Sequence, residues 1–280
     1  MIKKWIGDQK FYRMVLTLVI PLVIQQGITN LVNLLDNIMV GGLGTESISA
    51  VAIVNQIIMV FNLALFGGLS GASIFGAQFF GKGDMDGMRH TFRFKLYFGL
   101  AASLLAIGVF LAFGETFVSL FLKGEGESAA AAQTLAYGMQ YMQVMLVGLI
   151  PFMVVQTYAG TLREMGETVA PMVASVIAIV LNLIFNYLLI FGHFGFPRWG
   201  VMGAAVATVF SRYVEMIYVV VHTHRHADRY PFIRGVYKSG YVPADVMKKI
   251  AVTGLPLLAN EALLSLIHIS FRLPLPSAIS

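Results

Sequence analysis

The chain has 280 residues, 58% of them hydrophobic and only 12% charged, a formal net charge of +5 and no cysteine. Soluble domains carry about 25% charged residues, so this composition defines an integral membrane protein. It excludes disulfide scaffolds and thiolate metal sites, and in a membrane chain a basic excess is a topology signal, not a sign of nucleic-acid binding.

The N-terminus, Met1-Ile2-Lys3-Lys4-Trp5, does not read as a cleavable signal. The apolar run begins only after Arg13, is too long for a signal core and lacks a small-residue cleavage site. Apolar runs of about 20 residues mark membrane spans. They are predicted near 14–40, 50–80, 93–113, 131–160, 168–191 and 200–221, with a seventh beginning near Ile250.

Asp36 stands inside the first run, where a carboxylate costs roughly 2.5–3.5 kcal/mol on insertion scales. At 100° per residue, Gln25, Thr29 and Asn33 fall within about 60° of it and form one polar stripe. Such a stripe faces the bundle or a wet cavity. The amides alone are explained by interhelical hydrogen bonding; the carboxylate calls for a proton, a cation or a charged partner. Pro21 removes a backbone hydrogen bond from the same helix and marks a bend point.

Gly67, Gly68, Gly71, Gly76 and Gly81, in and after the second run, suit close helix packing or a helix break. In the fifth run Asn182 and Asn186 share a face at i, i+4. Their oxygens suit Na⁺ or a carboxyl group, and helix–helix packing explains them equally well. Thr208 in the sixth run is a weaker candidate, since threonine often bonds its own backbone. Arg212 and Glu215, at i, i+3, are expected to neutralise one another. His222, His224 and His226 lie among Arg225 and Arg229, whose charge opposes a metal cation, so they read as a solvated basic loop.

Fifteen Lys and Arg residues fall on the N-terminal side: Lys3 to Arg13, Lys82 to Lys95, Arg163, and Arg225 to Lys249. Lys123 and Arg198 fall on the other. The bias places the N-terminus and the even loops in the cytoplasm of a multi-pass protein of the cell inner membrane. The loop at 222–249 divides the six-helix segment, 1–221, from the seventh span, 250–266. Aligning Pro21 with Pro256 puts Gln25 on Asn260 and Gln26 on Glu261, the pattern of a repeated half-transporter. Glu261 would then be a second deep acid. From Ile267 to Ser280, His268, Arg272 and two prolines interrupt the span. That stretch is read as an aberrant tail, from a frameshift or sequence junction, on a truncated chain; a natural interfacial tail is the alternative.

Taken together, several stretches resemble the multidrug and toxic compound extrusion (MATE) family. They are Pro21-Leu-Val-Ile-Gln-Gln26, Asp36-Asn-Ile-Met-Val-Gly-Gly-Leu-Gly44, Ala77-Gln-Phe-Phe-Gly-Lys-Gly-Asp84, Gly160-Thr-Leu-Arg-Glu-Met-Gly166, Asn182-Leu-Ile-Phe-Asn186 and Gly200-Val-Met-Gly-Ala-Ala-Val-Ala-Thr208. The resemblance covers about 10–266. It implies an all-α polytopic membrane protein: the six-helix N-terminal lobe of a twelve-helix transporter, plus the start of a seventh helix. It implies an antiporter, not an enzyme, exporting small organic and often cationic compounds against Na⁺ or H⁺. Beyond that coupling ion no cofactor is implied, and the partners are membrane lipid and the substrate, with a monomer when full length. The resemblance puts Asp36, Asn182, Asn186 and Thr208 on the cation site with Tyr141 beside it, Pro21 at the bend, and Glu261 on an acid of the seventh helix. Some family members carry aspartate at the position of Asn186, which leaves Na⁺ and H⁺ both open.

Three other readings are weighed against this one. A lipid-linked oligosaccharide flippase needs a cleft lined with Arg or Lys, and the centres of spans one to five hold none. A membrane-embedded acyltransferase would need a pair such as His224 with Asp228. A non-functional transporter fragment shares the ancestry of the first reading.

Overall fold

The computed structural model describes residues 8–122 and 128–270. Among them the regular structure is helical: α1 (Gln9–Gly41), α2 (Thr45–Gly81), α3 (Met85–Phe121), α4 (Ala129–Val147), α5 (Leu149–Glu164), α6 (Val169–Phe191), α7 (Val201–Arg225) and α8 (Ala244–Ser270), with short 3-10 turns at His193–Gly195 and Pro231–Ile233. Among the described residues five of these helices are long and apolar enough to cross a bilayer, and α4 with α5 meets the same test as a bent pair, for up to six crossings.

Local chemistry sets the starts. Asp8 caps α1 through the Phe11 amide at 2.8 Å, Asp84 caps α3 through the Gly87 amide at 2.8 Å, and Ser128 caps α4 through the Ala131 amide at 3.1 Å. Each side-chain oxygen satisfies an amide that has no partner within the helix. Glu167 does the same for α6, accepting from the Val169 and Ala170 amides at 3.1 Å each. The α2–α3 turn needs the positive φ of Gly83 (73°), which costs glycine nothing.

The run expected at 131–160 is two helices bent by 45° at Gly148. The cause is local: Pro151 has no amide to donate back to Val147, and its ring crowds that turn. The Gly148 carbonyl at the bend accepts from Arg212 Nη1 at 3.4 Å. The helices also outrun the apolar stretches. At 37 residues each, α2 and α3 are about 55 Å long against a hydrocarbon layer of about 30 Å. Arg93 and Lys95 therefore sit on the first turns of α3, buried, and not in a loop.

The bundle closes by α6 packing on α7, α2 on α3, α4 and α8, and α1 on α6. Gly68, Gly71 and Gly76 of α2 serve close packing, Gly81 has open space beside it, and the helix is unbroken. A Cβ at Gly71 would lie 2.6 Å from the Gly254 Cα of α8, and one at Gly68 would meet the Phe98 ring at 2.0 Å. The central core includes Val54, Leu65, Leu149 and Ala205. A second core lies at the basic end, where Tyr230, Phe232, Ile233 and Val236 pack on Met88, Phe92 and Tyr158.

The 222–249 segment is therefore mostly folded onto the bundle. α7 runs on to Arg225 and α8 begins at Ala244. Arg93 reaches the carbonyls of Val236 (2.7 Å), Tyr241 (3.1 Å) and Gly235 (3.3 Å). The histidines lie on and just after the end of α7 rather than in a loop, with His224 and His226 exposed as expected. His222 and His224 belong to the last turns of α7, with His222 stacked against Tyr218 and tilted against His226, and His224 Nε2 lying 3.2 Å from the Tyr158 hydroxyl. Among the described residues no group of three or more His, Asp or Glu is placed to hold a metal. The side chain of Glu261, and the tail from Phe271 to Ser280, lie outside the described residues.

Candidate functional site

The stripe of α1 faces a cavity of about 740 Å³ lined by Gln25, Thr29, Asn33 and Asp36 from one side and by α2, α5, α6 and α7 from the others. A second cavity of about 540 Å³ continues from it and shares Thr29, Asn33, Asp36, Asn62, Thr208 and Arg212. Tyr141 and Asn186 line only this second space.

A hydrogen-bonded chain crosses three helices at their junction. Asn186 Nδ2 donates to Asp36 Oδ1 at 2.7 Å and to Asn182 Oδ1 at 3.3 Å. Asn182 Nδ2 donates to Thr208 Oγ1 at 3.2 Å, and that hydroxyl donates to the Ala204 carbonyl at 3.0 Å. Asn186 is only 1% exposed, and its Oδ1 is buried without a partner. Tyr141 does not touch Asp36; its hydroxyl donates to Asn55 Oδ1 of α2 at 3.3 Å. Pro21 lies within the unbroken α1, away from both cavities, beside an apolar groove shared with Tyr12 and Val169. At the other end of the stripe, Gln25 Nε2 donates to Ser175 Oγ at 2.7 Å, and Ser175 donates to Glu215 Oε1 at 2.5 Å.

Several residues of the site were not predicted. Asn55 and Asn62 stand seven positions apart on α2 and both reach the second cavity. Seven residues is two helical turns, so the angular test that finds the Asp36 stripe also finds this pair. Arg163 is read from sequence as a loop residue; it ends α5 and turns into the first cavity. Arg212 and Glu215 do not neutralise one another by direct contact. The Arg212 guanidinium lies 5.1 Å above the Phe152 ring, and Glu215 is engaged by Ser175. Both line the first cavity, as does Arg163, so two arginines face it: Arg212 from the sixth span, and Arg163 from the end of a helix whose centre reads as free of basic residues. The pairing drawn for an acyltransferase is also absent: Asp228 is ion-paired with Arg234, and His224 lies against Tyr158 and Tyr237.

A polar, carboxylate-bearing cavity among membrane-spanning helices is the setting of a substrate or ion site. The family model described as MatE matches residues 21–188. The chain is 29% identical over 228 residues to "Probable multidrug resistance protein NorM" of Agrobacterium fabrum, covering 80% of this chain and 47% of that protein. It is 27% identical over 197 residues to the protein of the same name from Thermotoga maritima, covering 70% and 41%. A solved structure of a MATE in complex with MaD3S superposes with a TM-score of 0.78 at 25% identity, covering 94% of this chain and 56% of that one. The chain belongs to the MatE family of transporters. It spans about half the length of the curated relatives it matches.

Proposed function

We propose that this chain forms the N-terminal lobe of a multidrug exporter driven by an inward cation, with Asp36 taking up H⁺ or Na⁺. The observation that carries the reading is the Asn186–Asp36 contact, together with the buried, unpartnered Asn186 Oδ1. An ionised Asp36 accepts the Asn186 amide hydrogen. A protonated Asp36 gains an O–H donor while keeping an acceptor oxygen, and the Asn186 amide, turned over, offers its own oxygen to that donor. That turn leaves Asn182 facing oxygen with oxygen, so Asn182 turns as well and directs its own oxygen to Thr208. The hydroxyl rotates from the Ala204 carbonyl to meet it. Loading of one carboxyl on α1 is thereby registered on α6 and α7. For Na⁺ the same side chains supply carboxylate, amide and hydroxyl oxygens, the hard donors that such an ion prefers.

The helix that must respond is the one least held. α1 packs chiefly on α6 and leaves Val23, Leu31, Leu34 and Ile38 exposed. Pro21 frees the Thr17 carbonyl from the backbone ladder, which lowers the cost of a bend there. The larger cavity lies within the 300–1,000 Å³ range of small-molecule sites. The excess of Lys and Arg at the N-terminal end favours a cytoplasmic N-terminus in the inner membrane.

The test is Asp36→Asn in the full-length gene, read as efflux of the cationic dye ethidium from energised cells. Loss of efflux with normal membrane insertion is expected. Efflux at the parental rate would overturn the role of Asp36. Imposing a Na⁺ or a pH gradient separately on vesicles then assigns the ion.

A further inference from the structure

The Asp36 junction has a counterpart nearer the basic end. Asp36, Asn186 with Asn182, and Thr208 join α1, α6 and α7. Gln25, Ser175 and Glu215 join the same three helices. Gln25 Nε2 donates to Ser175 Oγ at 2.7 Å, and that buried hydroxyl donates to Glu215 Oε1 at 2.5 Å. Gln25 stands eleven residues before Asp36, and Ser175 eleven before Asn186. Eleven residues are three helical turns, so the two junctions use the same faces of α1 and α6, about 16 Å apart along each.

Among the described residues these two junctions supply the hydrogen bonds that α1 makes to other helices. The second one fastens α1 one turn beyond Pro21, where the backbone ladder is already open. Glu215, Gln25 and Ser175 all line the larger cavity. The charges facing Glu215 are Arg212, three residues earlier on α7, and Arg163 at the end of α5. Asp36 is the other acid of the cavity, and α1 and α6 meet Glu215 through the neutral Gln25 and Ser175.

We propose that Glu215 is a second proton-sensing carboxylate, and that Gln25–Ser175–Glu215 is a clasp that holds α1 to α6 and α7 while Glu215 is ionised. Hydrogen bonds to an ionised acceptor are roughly twice as strong as neutral ones. A proton taken from the cavity onto Glu215 makes the contact neutral and weakens it, which frees the part of α1 just beyond Pro21. Glu215 acts on α1 through Ser175 and is a positioning residue. The inference rests on α1 being the moving helix of the proposed exporter.

The chain has no cysteine. Val23→Cys on α1 and Val180→Cys on α6, both at exposed positions, can therefore carry a spin-label pair in the purified protein in lipid nanodiscs. Pulsed EPR then measures the share of molecules in which α1 is released from α6. An Asp36→Asn background silences the carboxyl of the other junction. In it, acidification from about pH 8 to about pH 4 spans the carboxyl range and should raise the released share about tenfold, the change expected when a charged hydrogen bond becomes a neutral one. Glu215→Gln, neutral at every pH, should show the high share throughout. Gln25→Met, which cuts the clasp from the α1 side and keeps the comparison readable if Glu215→Gln misfolds, should do the same. A released share that ignores pH, or a folded Glu215→Gln or Gln25→Met that keeps the pH response, overturns the clasp. The EPR response does not depend on efflux, so its absence overturns the clasp alone, whereas parental efflux by Asp36→Asn overturns the ion reading alone.

Discussion

Replacing Glu164 by Gln should destabilise the lobe more than any other single change at its basic end. Lys95 on α3 and Glu164 on α5 form an ion pair whose side chains are 1% and 6% exposed. Lys95 Nζ also donates to Thr161 Oγ1 at 3.1 Å. α2 closes the site with Gly76, where a Cβ would stand 2.0 Å from Glu164 Oε2. No water-filled route is needed to see the consequence: Glu164→Gln leaves an ammonium in the protein interior with only neutral partners. Removing one member of a buried pair costs about 3–5 kcal/mol. Replacing both members with apolar groups of similar volume is neutral or stabilising by about 1–4 kcal/mol. The double variant Lys95→Met/Glu164→Leu should therefore recover most of what Glu164→Gln loses. Unfolding in detergent, followed by loss of helical circular dichroism against denaturant, measures both. The reasoning fails if Glu164→Gln unfolds within about 1 kcal/mol of the parent, or if the double variant is no more stable than the single one.

Two further outcomes concern the segment between α7 and α8. Tyr230 is 1% exposed and its hydroxyl donates to Glu167 Oε2 at 3.2 Å. Burial first, and then the charge of Glu167, push its phenol up to about 12. Because the folded value lies above the usual value near 10, the stability it contributes is complete below about pH 10 and is lost as pH rises through about 12. The difference in tyrosinate absorbance between the parent and Tyr230→Phe should show that late step, and a step near pH 10 would refute it. Arg93→Gln removes the guanidinium that gathers the carbonyls of Gly235, Val236 and Tyr241. Even one lost charged hydrogen bond of about 1.5 kcal/mol raises the opened population about tenfold, so trypsin cleavage after Lys238 should accelerate by at least that much. An unchanged cleavage rate would show that the segment is held elsewhere.

The crossings were legible because the length of an apolar run reports the thickness of the bilayer, a property of the solvent and not of the fold. The break at Gly148 was not, since Val147-Gly148-Leu149-Ile150-Pro151 is apolar throughout and a run of hydropathy has no term for a missing amide. The site was legible in halves. Helical periodicity places Gln25, Thr29, Asn33 and Asp36 on one face, and Asn182 with Asn186 on another. That the two faces meet is a fact about α1 packing on α6, which neither helix states alone. The family resemblance supplied that juxtaposition. It did not supply Asn55 or Asn62, which the same angular argument on α2 would have found.

Charge was the least legible feature, and the reason bears on function. Counting along the chain, Arg93, Lys95 and Arg163 are three basic residues near the ends of spans. In the folded lobe Arg93 ties down a loop, Lys95 is neutralised, and Arg163 faces the cavity with its Nε unpartnered. Arg93 and Lys95 are buried, while Arg163 is half-buried beside the cavity, a difference that position along the chain does not carry. A cation whose donors are engaged by the chain's own carbonyls and carboxylates holds the architecture, and its removal is read as stability.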